Sequence, residues 1–333
     1  METQLQYVEK MQKKALRREN LSKSEIIRLL EIKPHTPEWE ALGKAARHVT
    51  STLTGDRAYL WGAIGVDFAP CSMNCDFCSL GEKWGIVKEV RTYNEDETVR
   101  LVRHYAENGV RWIVLRTTEF FSQEQLGVMI HNIRGRVPGD YELCLNIGEF
   151  DKIQANWLSE QGVEFVYHSL RLREGQDTQF DPAERMATLN SVKESNLNLA
   201  FLVEPIGIEH TNEELADICI LTRECGAKVG GAMARIPVEG TPLGGRPQVS
   251  DARVAQIIAV TRLACAGSIE HICVHPGTQI AMEFGANVTV VETGAIPRDR
   301  CCCSGGKWNG FDADKAKKLF FAAGYATPHD WRK

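Results

Sequence analysis

The stretch Tyr59-Leu-Trp-Gly-Ala-Ile-Gly-Val-Asp-Phe68, followed closely by Cys71-Ser-Met-Asn-Cys75-Asp-Phe-Cys78, decides how this chain is read. An apolar, strand-like run feeds a loop whose three thiols are spaced C-x3-C-x2-C. Three cysteines on one loop can bind three irons of a cubane cluster and leave the fourth iron open to chelate a small molecule. A fully ligated cluster mostly transfers electrons. A zinc site is the plainer alternative, because Cys75-x2-Cys78 alone suits that metal. Zinc would want a fourth ligand nearby, and no further Cys or His follows within the next twenty residues.

Working outward, residues 1–58 are rich in Lys, Arg and Glu, with helical spacing at Leu16 and through Ser24–Leu30. They read as an N-terminal helical extension. Beyond them, apolar strand-like runs alternate with amphipathic helical stretches. The strand candidates are 59–68, 110–116, 141–147, 163–170, 198–206, 228–236, 270–275 and 287–292. Short apolar runs separated by helices of ten or more residues signal βαβ units and a parallel sheet. Eight of them fit an α/β fold, a closed (β/α)8 TIM-like barrel over 59–295, with a C-terminal cysteine-bearing segment over 296–333. In such barrels the reactive groups gather at the carboxyl ends of the strands. The cysteine loop, Arg116-Thr-Thr-Glu119, Asn146 with Glu149, His168–Glu174, Glu204-Pro-Ile-Gly207, Arg235 and His275 all fall at such ends.

The chain has 333 residues and a net charge of −5 with both signs interspersed and no basic block, which excludes nucleic acid as an expected partner. No run approaches the length of apolar sequence that spans a bilayer, and the first residues lack a signal-peptide apolar region, so a cytoplasmic protein without membrane contact is expected. Eleven cysteines is high for such a setting, where stable disulfides are rare. Six of them fall in two tight groups, Cys71/Cys75/Cys78 and Cys301/Cys302/Cys303, and the other five sit singly in apolar patterns as small hydrophobes.

The cysteine spacing and its place after a first strand resemble the radical S-adenosylmethionine (SAM) superfamily. That resemblance implies a 4Fe–4S cluster on Cys71, Cys75 and Cys78, whose open iron holds the amino and carboxylate groups of SAM. It further implies that an electron from the cluster breaks the sulfonium to give a 5′-deoxyadenosyl radical. Phe77 stands where the superfamily places an aromatic against adenine. Thr117-Thr118-Glu119 stands where its Gly-Gly-Glu stretch holds the methionine amino group, with threonines in place of the glycines. In the biotin-synthase-like branch an arginine after strand four grips the SAM carboxylate. Arg173-Glu174 lines up best with it, and Arg171 competes. Gly207-Ile-Glu-His-Thr211-Asn-Glu-Glu214 is similar to the turn that packs on adenine, and it also reads as a capped helix start. Arg235-Ile-Pro-Val-Glu-Gly-Thr241-Pro-Leu243 resembles the strand-six signature of the same branch, and Gly285-Ala-Asn287 echoes it.

The resemblance covers roughly residues 50–295 and points to biotin synthase, the two-component archaeal-type lipoyl synthases, the hydrogenase-maturation lyases and methylornithine synthase. Two departures set the chain apart from standard biotin synthase. Tyr167-His-Ser-Leu replaces a Tyr-Asn-His-Asn string, and Val274-His275-Pro276 replaces the strand-seven arginine that ligates a second cluster. Cys301-Cys302-Cys303, followed by Ser304-Gly-Gly306, is expected to hold an auxiliary iron–sulfur cluster, with His275 or Ser304 completing the set. A redox-vulnerable tail is the alternative. Two clusters in this branch imply sulfur insertion at unactivated C–H bonds, with lipoyl synthesis on an octanoylated carrier protein as the specific expectation. An unusual biotin synthase, or a carbon-skeleton rearrangement similar to that of methylornithine synthase, stands as the alternative. The implied partners are a small-molecule or carrier-bound acyl substrate, an electron donor such as ferredoxin or flavodoxin, and a second radical SAM subunit.

Overall fold

The computed structural model describes residues 2–292 and 311–326. Three helices lead, α1 (Gln4–Leu16), α2 (Lys23–Leu30) and α3 (Pro37–Thr54). Thr3 and Ser22 open the first two with reciprocal capping boxes, which satisfy amide groups that the first helical turn leaves free. Pro37 in the first turn and left-handed Gly55 at the end bound the third.

The chain then alternates: β1 (Tyr59–Gly65), β2 (Asp67–Phe68), β3 (Arg91–Thr92), α4 (Glu95–Glu107), β4 (Trp112–Arg116), α5 (Gln123–Arg136), β5 (Glu142–Asn146), α6 (Lys152–Glu160) and β6 (Phe165–Tyr167). It continues through α7 (Pro182–Lys193), β7 (Asn198–Ala200), β8 (Val203–Ile206), α8 (Asn212–Glu224), β9 (Val229–Ala234), α9 (Asp251–Ala264), β10 (His271–His275), α10 (Gln279–Glu283), β11 (Val288–Val291) and α11 (Ala313–Ala322).

β1 lies between β4 and β11, and β10 pairs with both β11 and β9, all in parallel. The sheet therefore closes on itself as an eight-position barrel ringed by helices, as the βα alternation predicts. Each of the eight expected strand regions holds a barrel strand. Two depart in detail. The region 198–206 is not one strand but β7 and β8, broken at Phe201-Leu202, and both halves lie along β9. The first strand ends at Gly65 rather than Phe68. Asp67–Phe68 peels away to pair antiparallel with β3, which swings the cysteine loop out over the barrel mouth.

Strand side chains alternate between faces, so every second residue points inward. The interior is filled by Trp61, Trp112, Phe165, Val114, Leu202 and their neighbours, with the two tryptophan rings 5.7 Å apart. Cys144 and Cys273 belong to this packed filling, and Cys219, Cys225 and Cys265 are buried outside it, in keeping with their reading as small hydrophobes. The outward faces form a second core shared with the helices, including α1–α3. Gly43 lets α3 approach closely, because a Cβ there would stand 2.5 Å from the Phe284 ring.

Below the barrel one charged side chain is wholly enclosed. Arg262 on α9 is 0% exposed and donates to the carbonyls of Ile269 (3.2 Å) and Glu270 (3.0 Å) and to Asn287 Oδ1 (3.2 Å). Burial pulls its pKa down to about 10. Asn287 in turn accepts from Ile272 N–H at 2.8 Å, so the Gly285-Ala-Asn287 turn is structural, tying β10 to β11. Arg262→Ala removes a large buried side chain and strands these acceptors. It is expected to cost about 3 kcal/mol, by analogy with broken buried charge networks. A urea midpoint that falls at constant slope would register it. An unchanged midpoint would show the network to be idle. Among the described residues, no helix is long and apolar enough to cross a membrane.

Candidate active site at the barrel mouth

The cysteine loop is knotted by its own backbone. Cys71 N–H donates to the Leu80 carbonyl (2.7 Å), Glu82 N–H to the Cys71 carbonyl (3.0 Å) and Cys78 N–H to the Cys75 carbonyl (2.9 Å). Asn74, left-handed at φ 42°, spans the turn, donating to the Ser72 carbonyl and accepting from Lys83 N–H. Cys71, Cys75 and Cys78 are thereby held half-buried on one loop as free thiols, with half-buried Phe77 between the last two. Burial pushes the Cys75 thiol up to about 12 and raises Cys71 as well. Thiols of that kind stay protonated until a metal displaces the proton.

The spacing of the sulfurs bears on the choice between zinc and a cubane. Among the described residues, the only group of three or more ligand atoms gathered within 4.8 Å is Asp177, Glu209 and His210, so at least one pair of the three Sγ atoms stands farther apart than that. Three thiolates on one tetrahedral zinc, at about 2.3 Å each, would stand roughly 3.8 Å apart. The donor set suits a multi-iron cluster better than a single zinc ion.

Asp177, Glu209 and His210 are themselves a poor cation site. Glu209 is committed to Arg235. His210 Nδ1 accepts from Gly207 N–H at 2.9 Å, which leaves the ring proton on Nε2.

Thr117-Thr118-Glu119 leaves β4 beside the loop. Asp67 takes the Thr118 N–H (2.6 Å) and the Thr118 hydroxyl, so the second threonine is anchored to the strand that peels away from β1. Thr117 N–H donates to the Asn146 carbonyl at 3.0 Å. Glu119 accepts from Glu149 N–H at 3.3 Å. Gly148 is needed there, since a Cβ would lie 2.4 Å from the Glu119 carbonyl. Burial raises the Glu119 carboxyl, and Arg185 pulls it back.

Arg185 was not among the residues singled out from sequence. It is 2% exposed, stands 2.8 Å from Glu149 and 3.6 Å from Glu174, and lies 3.8 Å over the Phe180 ring. His168, fully enclosed, meets the same Glu149 at 3.2 Å. Burial would raise Glu149, but the His168 hydrogen bond and the Arg185 charge hold it down at about 2. Arg185 Nε makes no hydrogen bond, nor does the buried Nη1 of Arg171. One signal could have found Arg185: it shares the inward stripe of α7 with Thr188, Leu189 and Val192, and a cation on a buried stripe is there for a partner.

Arg173 is placed elsewhere. Its left-handed backbone (φ 57°) precedes a guanidinium bound to Glu214 (2.8 Å) and to the Glu209 carbonyl (2.9 Å), at the start of α8. The structure thus brings Arg171 and Arg185, rather than Arg173, into the charge network of Glu119. Arg235 is likewise committed: its two nitrogens grip both oxygens of Glu209, holding that carboxyl down at about 2 against the upward push of burial. It braces Gly207, where a Cβ would stand 2.5 Å from its guanidinium. Thr211 and Glu214 do form the expected capping box of α8. Cys301, Cys302 and Cys303 lie outside the described residues.

A hollow of about 1790 Å³ opens at the opposite end of the barrel, around Arg111, Glu142, Glu164 and His271. It lies at the amino ends of the strands, where conserved features of such barrels serve stability, and holds none of the cysteine loop.

No family model matches the chain. In sequence it is similar to curated biotin synthases. It is 24% identical to that of Persephonella marina over 269 residues (77% of this chain, 78% of the relative). It is 26% identical to that of Streptomyces avermitilis over 265 residues (76% and 66%). In structure it is similar to methylornithine synthase, with a TM-score of 0.82 at 16% identity, covering 97% of this chain and 99% of that one. The FeFe-hydrogenase maturase HydG of Carboxydothermus hydrogenoformans follows at 0.77 and 16%, covering 96% and 78%.

Proposed function

We propose that this chain, a radical SAM protein of the biotin-synthase-like branch, cleaves SAM at Cys71, Cys75 and Cys78 and uses the radical to insert sulfur at an unactivated C–H bond. The observation that supports it best is the cysteine loop itself, three half-buried free thiols on one loop over the carboxyl end of a closed barrel. When bound, a 4Fe–4S cluster with SAM supplies one-electron cleavage of the sulfonium and a carbon radical able to take a hydrogen atom. The residues do the rest. Glu119 accepts the methionine ammonium beside Cys71, and Phe77 and the Gly207 turn flank the adenine. Arg185, with its Nε free of hydrogen bonds, takes the carboxylate role that the family resemblance assigns to Arg173.

That last assignment makes a prediction. Arg185→Gln should weaken SAM binding by about 2–5 kcal/mol, the range for one partner of a buried charge pair. Arg173→Gln should leave it close to the parent. Equilibrium binding to the reconstituted protein measures both, and the reverse order would restore Arg173.

Sulfur insertion rests on Cys301, Cys302 and Cys303 as ligands of an auxiliary cluster that donates sulfide. Both flanks of the segment carrying them are at the mouth: Glu292, at the end of β11, donates its N–H to the Phe311 carbonyl at 3.2 Å. The specific substrate in this reading is an octanoyl group on a carrier protein, with ferredoxin or flavodoxin as electron donor and a second radical SAM subunit as partner.

A second reading, rearrangement of a small charged substrate, is favoured by the uppermost inward layer of the barrel. There Arg116 and His275 each stand 3.9 Å from Glu292, and Tyr167 donates to Glu204. One assay separates the two. The reconstituted protein is offered octanoylated carrier protein, dethiobiotin, or a basic amino acid. A thiolated product beside 5′-deoxyadenosine supports insertion, and an isomer supports rearrangement.

A further inference from the structure

Glu149, in the loop after β5, has no task in the function proposed, yet each of its polar atoms has a partner. Its N–H donates to Glu119 Oε1 at 3.3 Å, and its carbonyl accepts from Gln123 Nε2 at 3.3 Å. The loop hugs Glu119 so closely that a Cβ on Gly148 would lie 3.0 Å from the same Oε1. The side chain reaches the other way. Its Oε1 stands 2.8 Å from Arg185 Nη1. Its Oε2 takes the Thr188 hydroxyl and stands 3.2 Å from His168 Nε2. Thr188 is tied back in turn, because its Oγ1 accepts from Phe150 N–H at 3.4 Å. One residue therefore touches both groups assigned to the methionine end of SAM, Glu119 through its backbone and Arg185 through its carboxylate.

The charges around Arg185 single out Glu149. Its Nη1 lies 3.5 Å and 3.4 Å from the two nitrogens of the buried His168 ring, whose pKa burial pulls down. The second carboxylate near Arg185 is Glu174, 3.6 Å from Nε. Glu174 is already bound by Thr178 Oγ1 at 2.6 Å and by the Arg171 N–H at 3.0 Å, and Arg171 Nη1 faces it at 3.5 Å. Arg171 also feels the buried Glu204, which accepts from Tyr167. Glu149 is thus the nearest counter-charge of Arg185. Among the described residues, neither Glu149 Oε1 nor Arg185 Nε makes a hydrogen bond. The pair is held by charge, and the guanidinium keeps donors for a second carboxylate, which its planar fork suits.

We infer that Glu149 is a positioning residue for SAM: its carboxylate, fixed by Thr188 and His168, holds Arg185 where the guanidinium meets the methionine carboxylate, and its backbone fixes Glu119 for the ammonium. This rests on the reading of Glu119 and Arg185 as the methionine-binding pair. Without the charge on Glu149, Glu174 is the carboxylate left to Arg185, and a buried guanidinium turns to the charge that remains. Gln at position 149 keeps the backbone bond to Glu119, so the loss should fall on the carboxylate end of SAM alone.

The test compares SAM with decarboxylated SAM, which keeps the ammonium and lacks the carboxylate. Both are titrated calorimetrically into reconstituted protein, with iron measured on each sample. Glu149→Gln should weaken SAM binding about tenfold, within the coupling range of residues in contact, and leave decarboxylated SAM near its parental affinity. Thr188→Val, which removes the hydroxyl on Oε2 and keeps the branched shape, should weaken SAM about threefold with the same selectivity. In an Arg185→Gln background, Glu149→Gln should add nothing. Equal losses for the two ligands, no loss for SAM, or full additivity with Arg185→Gln overturns the inference and leaves the function standing. Should Glu149→Gln fail to fold, Thr188→Val decides: no loss, or a loss shared equally by both ligands, overturns it. An Arg185→Gln variant that loses both ligands alike overturns the carboxylate assignment and this inference with it, while the cysteine-loop reading stands. A parent protein that binds neither iron nor SAM overturns the function as well.

Discussion

Cys71→Ala, Cys75→Ala and Cys78→Ala together are expected to abolish release of 5′-deoxyadenosine from SAM under dithionite, and to remove about four irons per chain. The expectation follows from the loop. No other described thiol can substitute, because Cys144 and Cys273 are packed inside the barrel and Cys219, Cys225 and Cys265 are buried outside it. The fold should survive, since the knot of the loop is made by backbone bonds and by Asn74 and Trp84 rather than by sulfur. Circular dichroism on the same sample separates lost chemistry from lost structure. Continued 5′-deoxyadenosine production by a folded triple variant would remove the whole reading.

Changing Cys301, Cys302 and Cys303 to Ala should separate the two jobs assigned to the two cysteine groups. Iron should fall from about eight to about four per chain, for two four-iron clusters with thiolate ligation. The variant should still cleave SAM and form no C–S bond. The flanks make this a fair demand, since Glu292 and Phe311, on either side of the segment, are hydrogen-bonded to each other at the barrel mouth. Parental iron content, or a thiolated product from the variant, would show that the segment is not the sulfur donor. The rearrangement reading, favoured by the Arg116, Glu292 and His275 layer, would then lead.

Much of this was legible in sequence because it is local. The alternation of apolar runs and helices names the barrel, since each strand buries its own side chains whatever its neighbours are. C-x3-C-x2-C places three thiols on one turn by spacing alone, and the capping boxes at Thr3, Ser22, Asn94 and Thr211 are contacts between residues three apart.

Other features were decided only by the tertiary structure. Arg173 lines up better than Arg171, yet it binds Glu214, a residue 41 positions along the chain. Arg235, expected at the cofactor, is taken by Glu209 from the preceding strand end. Arg185 joins the charge cluster at the mouth because α7 turns its inner stripe toward Glu149 and Glu174, which come from the loops after β5 and β6. The break between β7 and β8, and the departure of Asp67 from the first strand to hold Thr118, likewise depend on neighbours distant in sequence. The physical reason is the same throughout. An arginine is free to satisfy its charge with whichever carboxylate the fold delivers within reach, and in a desolvated wall the cost of an unpaired charge makes that choice decisive. Periodicity and spacing determine where a chain turns and which face it buries. Which charge meets which is settled only when strands and loops far apart in sequence close around one mouth.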